Sequence, residues 1–443
     1  MKLLLSISNP YLPAIVLALF FEYNVMAQNT MLLPLNEAIT LAQAHSKQLK
    51  LDSLDLLSKE TKVVQGRNAN VPQVSLNLSY VRISDNITPF KVNFAGGDVV
   101  LNPQILNQSY NSLQVRQLVV GGNKLKFGLQ ALQYDKQVAL TNLQKNSTDL
   151  QYTIANIWYN LFVLKRSKEV IEANIDVLTN QKKDVQNFID QGIVLANDGL
   201  KLDLAITSYQ SNLIDIDNSI SQLNYNLCLL TGLPTTTGID LPLLLPNNEK
   251  EKAGLDYYVT RALANRPELK AISIRQKQAD IGLRLAQGNY APTVSVGGKV
   301  NYDQPNQRLF PNRAVLTGTW DLGVFFNWNI SDLFTNKENV TEKKINIRSA
   351  QVATEQLGEA VQIEVNADYS NYLKAVQQIA IAKKSLEEAT ENFRVEKNRF
   401  SENTTTPTEF LTANNQLTQS KINVTTAEAN AELAYRKLLK STN

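Results

Sequence analysis

The sequence predicts a mixed α and β membrane protein: four amphipathic strands per chain contributing to a shared oligomeric β-barrel, plus long antiparallel coiled-coil helices extending from it. Three observations carry this expectation. Apolar residues recur at heptad spacing over two very long stretches, period-two alternation marks four short ones, and the two patterns follow one another in the same order twice. With 18 Gly and 14 Pro in 443 residues there are too few chain breakers for a fold of many short loops. The 44 Lys plus Arg stand against 41 Asp plus Glu, spread along the chain without a long basic run, which argues against a nucleic-acid partner.

Taken in order, residues 1–27 read as a secretory signal peptide. Met1-Lys2 is followed by an apolar stretch that strengthens over 14–21 and by Val25-Met26-Ala27, with small residues at the positions expected before cleavage. Pro10 and Pro13 interrupt the stretch, whose apolar core is shorter than the roughly 20 residues a spanning helix needs. No cysteine follows Ala27, which excludes lipid attachment there.

Two repeats then follow, 28–232 and 253–443, joined by a linker over 233–252 that carries Pro234, Pro242 and Pro246. When 35–81 is laid on 255–301, Ala42 meets Ala262, Ala44 meets Ala264 and Leu49-Lys50 meets Leu269-Lys270. In both segments an amphipathic helix ends at a proline, Pro72 or Pro292, and strand-like alternation begins. Val74, Leu76, Leu78 and Tyr80 alternate with polar residues in the first, as do Val294, Val296, Val300 and Tyr302 in the second.

A second strand is expected over 112–120 and over 316–330. In the latter, Leu316, Trp320, Leu322, Val324, Phe326, Trp328 and Ile330 fall on one face. Such strands can meet lipid on one face and water on the other, with Leu76, Leu78, Trp320, Val324 and Phe326 toward lipid and Tyr80 and Trp328 as interfacial anchors. The turn-rich segments 83–110 and 303–314 suit extracellular loops. Gly121-Gly122 reads as a turn from strand into helix.

The long helices come next. Leu143, Leu150, Ile157, Leu164, Ile171, Leu178 and Val185 form a heptad stripe, with Ile154, Leu161, Ile175 and Ile189 in the second seam position. In the second repeat Val365, Tyr372, Ile379, Leu386, Phe393 and Phe400 have the same spacing. A helix over 123–189 would be roughly 100 Å long at about 1.5 Å per residue. Short turns at 190–197 and 401–407 send each chain back as an antiparallel return helix, ending near Leu230 and Leu439.

Four strands cannot span a bilayer alone, because open edges would leave N–H and C=O groups in hydrocarbon at several kcal/mol each. The smallest known barrels have about eight strands, so at least two chains must share one; three would give about twelve. Since strand hairpins and helix turns point opposite ways, the helices extend on the periplasmic side.

A strand pair and a giant helical hairpin, duplicated, resemble the TolC-type outer-membrane efflux family over nearly the whole mature chain. Leu227-Cys228-Leu229-Leu230-Thr231-Gly232-Leu233-Pro234 is similar to the Leu-Thr-Gly-Leu-Pro ending of that family's first repeat. Phe400-Ser401-Glu402-Asn403 through Thr408-Glu409-Phe410-Leu411-Thr412-Ala413 resembles its second periplasmic tip. The resemblance implies a homotrimer with a twelve-stranded barrel and a periplasmic tunnel in the outer membrane, surrounded by outer-membrane lipid. It further implies a passive exit duct for efflux or type I secretion, docked by a periplasmic adaptor (membrane fusion) protein and driven by an inner-membrane pump of RND or ABC type.

The family's gate carries two acidic residues in the second tip. Glu409 matches the first and Asp198 occupies the corresponding place in the first tip, so both are candidates for the pore constriction. Thr412 stands at the second acidic position, Asn403 replaces the usual tip glycine, and the Arg expected near Thr405 is absent, so no Arg-based lock is expected. The competing reading of Glu409 is an acid favoured by the dipole at the start of the return helix. Candidates for the periplasmic tip and adaptor docking are Gly192, Asn197, Gly199, Leu200, Asn403, Thr404, Thr405, Phe410 and Leu411.

No nucleophile elbow, P-loop or metal-ligand cluster is present, so no catalytic residue, metal or cofactor is expected. Cys228, the only cysteine, reads as a small core hydrophobe, and His45, the only histidine, as a solvated helix position. The alternative to a duct is a secreted periplasmic coiled-coil scaffold or adaptor, which would share the heptads but not the paired amphipathic strands.

Overall fold

Two very long helical hairpins and one four-stranded sheet make up most of the chain, which is described in a computed structural model for residues 30–86, 88–243, 245, 253–402 and 404–443. The expected signal peptide and residues 244 and 246–252 of the linker lie outside the described residues. The first half runs β1 (Thr30–Leu32), α1 (Leu35–His45), α2 (Lys47–Asn68), β2 (Gln73–Arg82), β3 (Phe90–Phe94), β4 (Gly97–Asn102), β5 (Asn107–Gly121), α3 (Lys124–Asp190) and α4 (Ala196–Thr231). After β6 (Gly238–Asp240) come α5 (Leu255–Asn265), α6 (Pro267–Gln287), β7 (Thr293–Gln304), β8 (Thr317–Asn327), the single turn α7 (Asp332–Thr335), α8 (Lys337–Ser401) and α9 (Pro407–Thr442). The long helices have 67 and 65 residues and their returns 36 each. At 1.5 Å per residue α3 spans roughly 100 Å.

The strands form a sheet in the order β2-β5-β7-β8, antiparallel throughout. Directly paired residues share a face, so the registers Leu76↔Leu113, Leu113↔Val300 and Val300↔Trp320 define one apolar row. Asn77↔Ser112, Ser112↔Asn301 and Asn301↔Thr319 define a polar row behind it. Leu76, Leu78, Tyr80, Trp320, Leu322, Val324 and Phe326 are all exposed in the single chain, the last four at 64–74%. β2 and β8 are the sheet's edges, without a strand partner among the described residues.

Several boundaries differ from the sequence expectation. β5 begins at Asn107, five residues earlier than its apolar alternation, because polar Asn107–Tyr110 pair with β2 through backbone bonds that need no apolar side chain. β8 stops at Asn327, so Trp328 and Ile330 lie beyond the strand; the Trp328 indole N–H donates to Tyr290 O at 3.1 Å, tying the strand end to the end of α6 rather than continuing the lipid row. The expected loop 83–110 contains the β3–β4 hairpin, and the expected linker contains β6, which pairs in parallel with β1. Gly121-Gly122 is the turn into α3: Gly122 has φ +61° and a Cβ there would sit 2.4 Å from Gly288 O.

The main core lies midway along α3. Trp158, Tyr159 and Phe162 pack there with Leu33, Ile154, Leu161, Leu227, Cys228 and Ile239. The Trp158 indole N–H donates to Leu33 O at 2.9 Å and its ring stacks on Phe162 at 5.8 Å. This is the heptad stripe at work: Ile154, Leu161, Ile171, Leu178 and Val185 are buried. Cys228 is a buried free thiol within this core, its titration pushed up by burial, and His45 is exposed on α1, as expected. The His45 ring nonetheless has a structural task. Gly232, at φ +77°, ends α4 with a Leu233 N–H bond to Cys228 O, and a Cβ on it would come within 2.4 Å of that ring.

Candidate functional site

Both helical turns lie at the same end of the molecule and share one small core. Leu178, Val185 and Leu202 of the first hairpin are buried against Phe400 and Phe410 of the second, with Ile189, Val194, Ile206, Tyr209, Phe393 and Leu411 around them. Phe410 stacks on Phe400 at 4.9 Å and meets Phe393 at 5.8 Å. The Tyr209 hydroxyl donates to Asn415 Oδ1 at 2.8 Å, a polar link between α4 and α9.

In the first tip, α3 ends at Asp190 and Gly192 takes φ +74°, which a side chain would strain. The N–H groups of Gly192 and Ile193 close onto Ile189 O and Phe188 O, both at 2.9 Å. α4 then opens without a side-chain cap, and Asp198 in its first turn offsets the exposed N–H groups. The Asp198 carboxylate lies 3.0 Å from Lys201 Nζ, so this candidate constriction residue carries its counter-charge with it. Gly199 allows the close return: a Cβ there would sit 3.2 Å from Ile189 Cδ1. Asn197 and Leu200 are exposed, and Ile193, Leu195 and Leu204 add to an apolar surface around Leu200.

In the second tip, Glu409 belongs to a capping box. Its backbone N–H donates to Thr406 Oγ1 at 3.3 Å, and Glu409 Oε2 accepts from the Thr406 N–H at 3.0 Å, with Pro407 in the first turn. The Thr405 hydroxyl lies 2.5 Å from the same Glu409 oxygen and 2.9 Å from Glu396 Oε2. Its single proton serves one carboxylate at a time. The Thr405 hydroxyl, then the Thr406 N–H and hydroxyl, and more weakly the charge of Arg399, hold the Glu409 carboxyl below the usual glutamate range. Thr404 is exposed and Thr405 partly so; Leu411 is partly buried, and Asn403 lies outside the described residues.

One sequence expectation changes here. Phe410 cannot offer a docking surface in this arrangement, because it is fully buried as the centre of the tip core. The Arg near Thr405 is absent, and the nearest arginine, Arg399, lies on the helix before it. Arg399 Nη1 bonds Glu396 Oε1 at 2.7 Å, its Nη2 reaches Thr404 O at 3.4 Å, and its carbonyl accepts from the Thr404 N–H and hydroxyl at 2.8 and 2.9 Å. These contacts close the turn onto the last turn of α8. The sequence signal was Glu396 and Arg399 at i, i+3 just before the turn.

Comparison with known proteins points to one family. Residues 258–443 match the model of the outer membrane efflux protein family. That match covers the second repeat, 186 of the 443 residues, and makes this part of the chain similar to that family. The fold is that of solved outer-membrane channels. A relative, the toxin and drug export protein A of Aggregatibacter actinomycetemcomitans, is 22% identical over 385 residues, covering 80% of each chain. The outer membrane protein VceC of Vibrio cholerae superposes with a TM-score of 0.76 at 16% identity, over 92% of this chain and 95% of that one. The CmeC outer membrane channel of Campylobacter jejuni gives 0.76 at 13%, over 92% and 85%.

Among the described residues no helix is long and apolar enough to cross a membrane, and no group of three or more His, Cys, Asp or Glu is placed to hold a metal. The exposed apolar row of the sheet is a contiguous apolar surface of the single chain.

Proposed function

We propose that this chain is one of three copies forming a passive exit duct, in which the sheets close into one barrel of about twelve strands and the helical hairpins line a periplasmic tunnel. The observation that carries this reading is the pair of unpaired edges, β2 and β8, on a sheet whose apolar row is exposed throughout. β2 and β8 run antiparallel to one another, so the β2 of one copy can pair with the β8 of the next and continue the alternation around a ring. Strands of 10 to 15 residues suit a tilted crossing. Apolar residues left exposed on the helices, Leu51, Leu54 and Leu57 on α2 and Ile345, Val352 and Ile363 on α8, supply further surface for contact between copies.

The halves 28–232 and 253–443 are read as duplicated units joined by 233–252, since each gives a short helix, a helix of 21 or 22 residues, strands, a long helix and a 36-residue return. Residues 1–27 are read as a signal removed after Ala27. The tips are read as both gate and docking surface for a periplasmic adaptor, which couples the duct to an inner-membrane pump of RND or ABC type. Exposed Leu195, Leu200 and Leu204 are the apolar part of that docking surface, while Glu409 and Asp198 are the candidate charges at the opening.

Detergent-extracted protein should run unheated as a species of three chains, confirmed by light scattering, and N-terminal sequencing should begin at Gln28. A monomer recovered from the soluble fraction would overturn the reading.

A further inference from the structure

The β3–β4 hairpin is a two-stranded sheet on which no other element of its own chain packs extensively. Its register places Val92 opposite Val99, so Phe90, Val92, Phe94 and Val99 share one face, with Phe90 and Phe94 exposed at 61% and 60%. Such a hairpin is at best marginally stable in water without something covering its apolar face.

A second exposed apolar group lies at the same end of the sheet, on the connection between β7 and β8. Phe310 is 75% and Val315 60% exposed, yet the connection is held firmly. Buried Asn306 donates to Thr317 O at 3.0 Å and accepts from the Arg308 N–H at 2.9 Å, while the Arg308 guanidinium bonds Asp321 at 2.9 Å. The polar residues bind inward and leave Phe310 and Val315 outward.

Topology decides what covers them. The hairpin follows the end of β2, one edge of the sheet, and the Phe310 connection leads into β8, the other edge. Within one chain β5 and β7 stand between them. Closing β2 of one copy on β8 of the next puts the two apolar groups side by side. We infer that the Phe90, Val92, Phe94 and Val99 face of one copy packs on Phe310 and Val315 of its neighbour, clasping adjacent copies at the outer rim of the barrel. The inference rests on the shared-barrel reading above and adds to it a specific contact between loops.

The test uses the full chain in isolated outer membranes, where buried Cys228 is the only native thiol. Val99→Cys and Val315→Cys, which leave the aromatic residues in place, are expressed on separate chains in one cell and oxidised with copper phenanthroline. Disulfide-linked dimers on a denaturing gel, absent from either single variant, are expected. In parallel, Asn77→Cys is combined with Thr319→Cys or Asp321→Cys to report pairing of the β2 and β8 edges. Edge pairs that link while the loop pair does not would overturn the clasp and leave the barrel standing; failure of both sets would overturn both. The clasp also predicts that Phe94→Ser with Phe310→Ser lowers the temperature at which the unheated oligomer dissociates, and an unchanged temperature counts against it.

Discussion

If the tip core holds the two helical hairpins together, removing its central ring should make the duct open more readily. Phe410→Ala deletes a fully buried side chain that stacks on Phe400 and Phe393 of its own hairpin and lies in one cluster with Leu178, Val185 and Leu202 of the other. A buried Phe→Ala change costs about 3–5 kcal/mol. If the whole cost fell on contacts between hairpins, the splayed population would rise by roughly two to three and a half powers of ten, at about 1.4 kcal/mol per factor of ten. Both ring partners of Phe410 belong to its own hairpin, so the lower end is the appropriate expectation. Leu202→Ala removes a buried residue from the opposite hairpin, at about 2–5 kcal/mol, and should act in the same direction. Single-channel recording reads opening directly. Both variants should show more frequent or longer openings, and the double variant less than the sum, because the residues share one cluster. If both lower the heat stability of the oligomer while leaving openings unchanged, the core supports the helices and does not hold a gate.

Other residues give further expectations. Val324→Arg places a charge in the apolar row, at about 2–4 kcal/mol near mid-membrane, and should reduce assembled oligomer on unheated gels far more than Thr319→Arg in the polar row. Because the Glu409 carboxyl is held below its ordinary value of about 4.5, its contribution to the tip is complete above that value and is lost as pH falls through the lowered one. Wild-type openings should therefore become more frequent on acidification below about pH 4.5, and Glu409→Gln should remove that part of the response. If Glu409 also faces the opening, the same variant reduces cation preference; if selectivity is unchanged, its charge belongs to the helix cap alone. Gly232→Ala should destabilise the fold by about 1–2 kcal/mol, through its left-handed backbone, and displace the His45 ring; thermal unfolding would register this.

The long helices were legible because a heptad stripe is a local statement repeated many times, and the residues of that stripe do lie in the seam. The β3–β4 hairpin was missed: Phe90, Val92 and Phe94 alternate with Lys91 and Asn93, but the turn residues around them drew the reading toward a loop. What the sequence could not supply was relation. Which strands are edges depends on the pairing of β5 with β7, residues far apart in the chain. The burial of Phe410 depends on the other hairpin reaching it, and a first-turn position gives no sign of that. The fold of Thr404 back onto the Arg399 carbonyl is likewise visible only in the structure.

The central claim is that copies of this chain close a water-filled duct through the outer membrane. Purified full-length protein reconstituted into a planar bilayer tests it directly. Stepwise, uniform conductance increments from the heat-labile oligomer, lost after the oligomer is heat-dissociated, are the predicted result. A properly folded, membrane-extracted oligomer that produces no increments, even with Phe410→Ala, would contradict it.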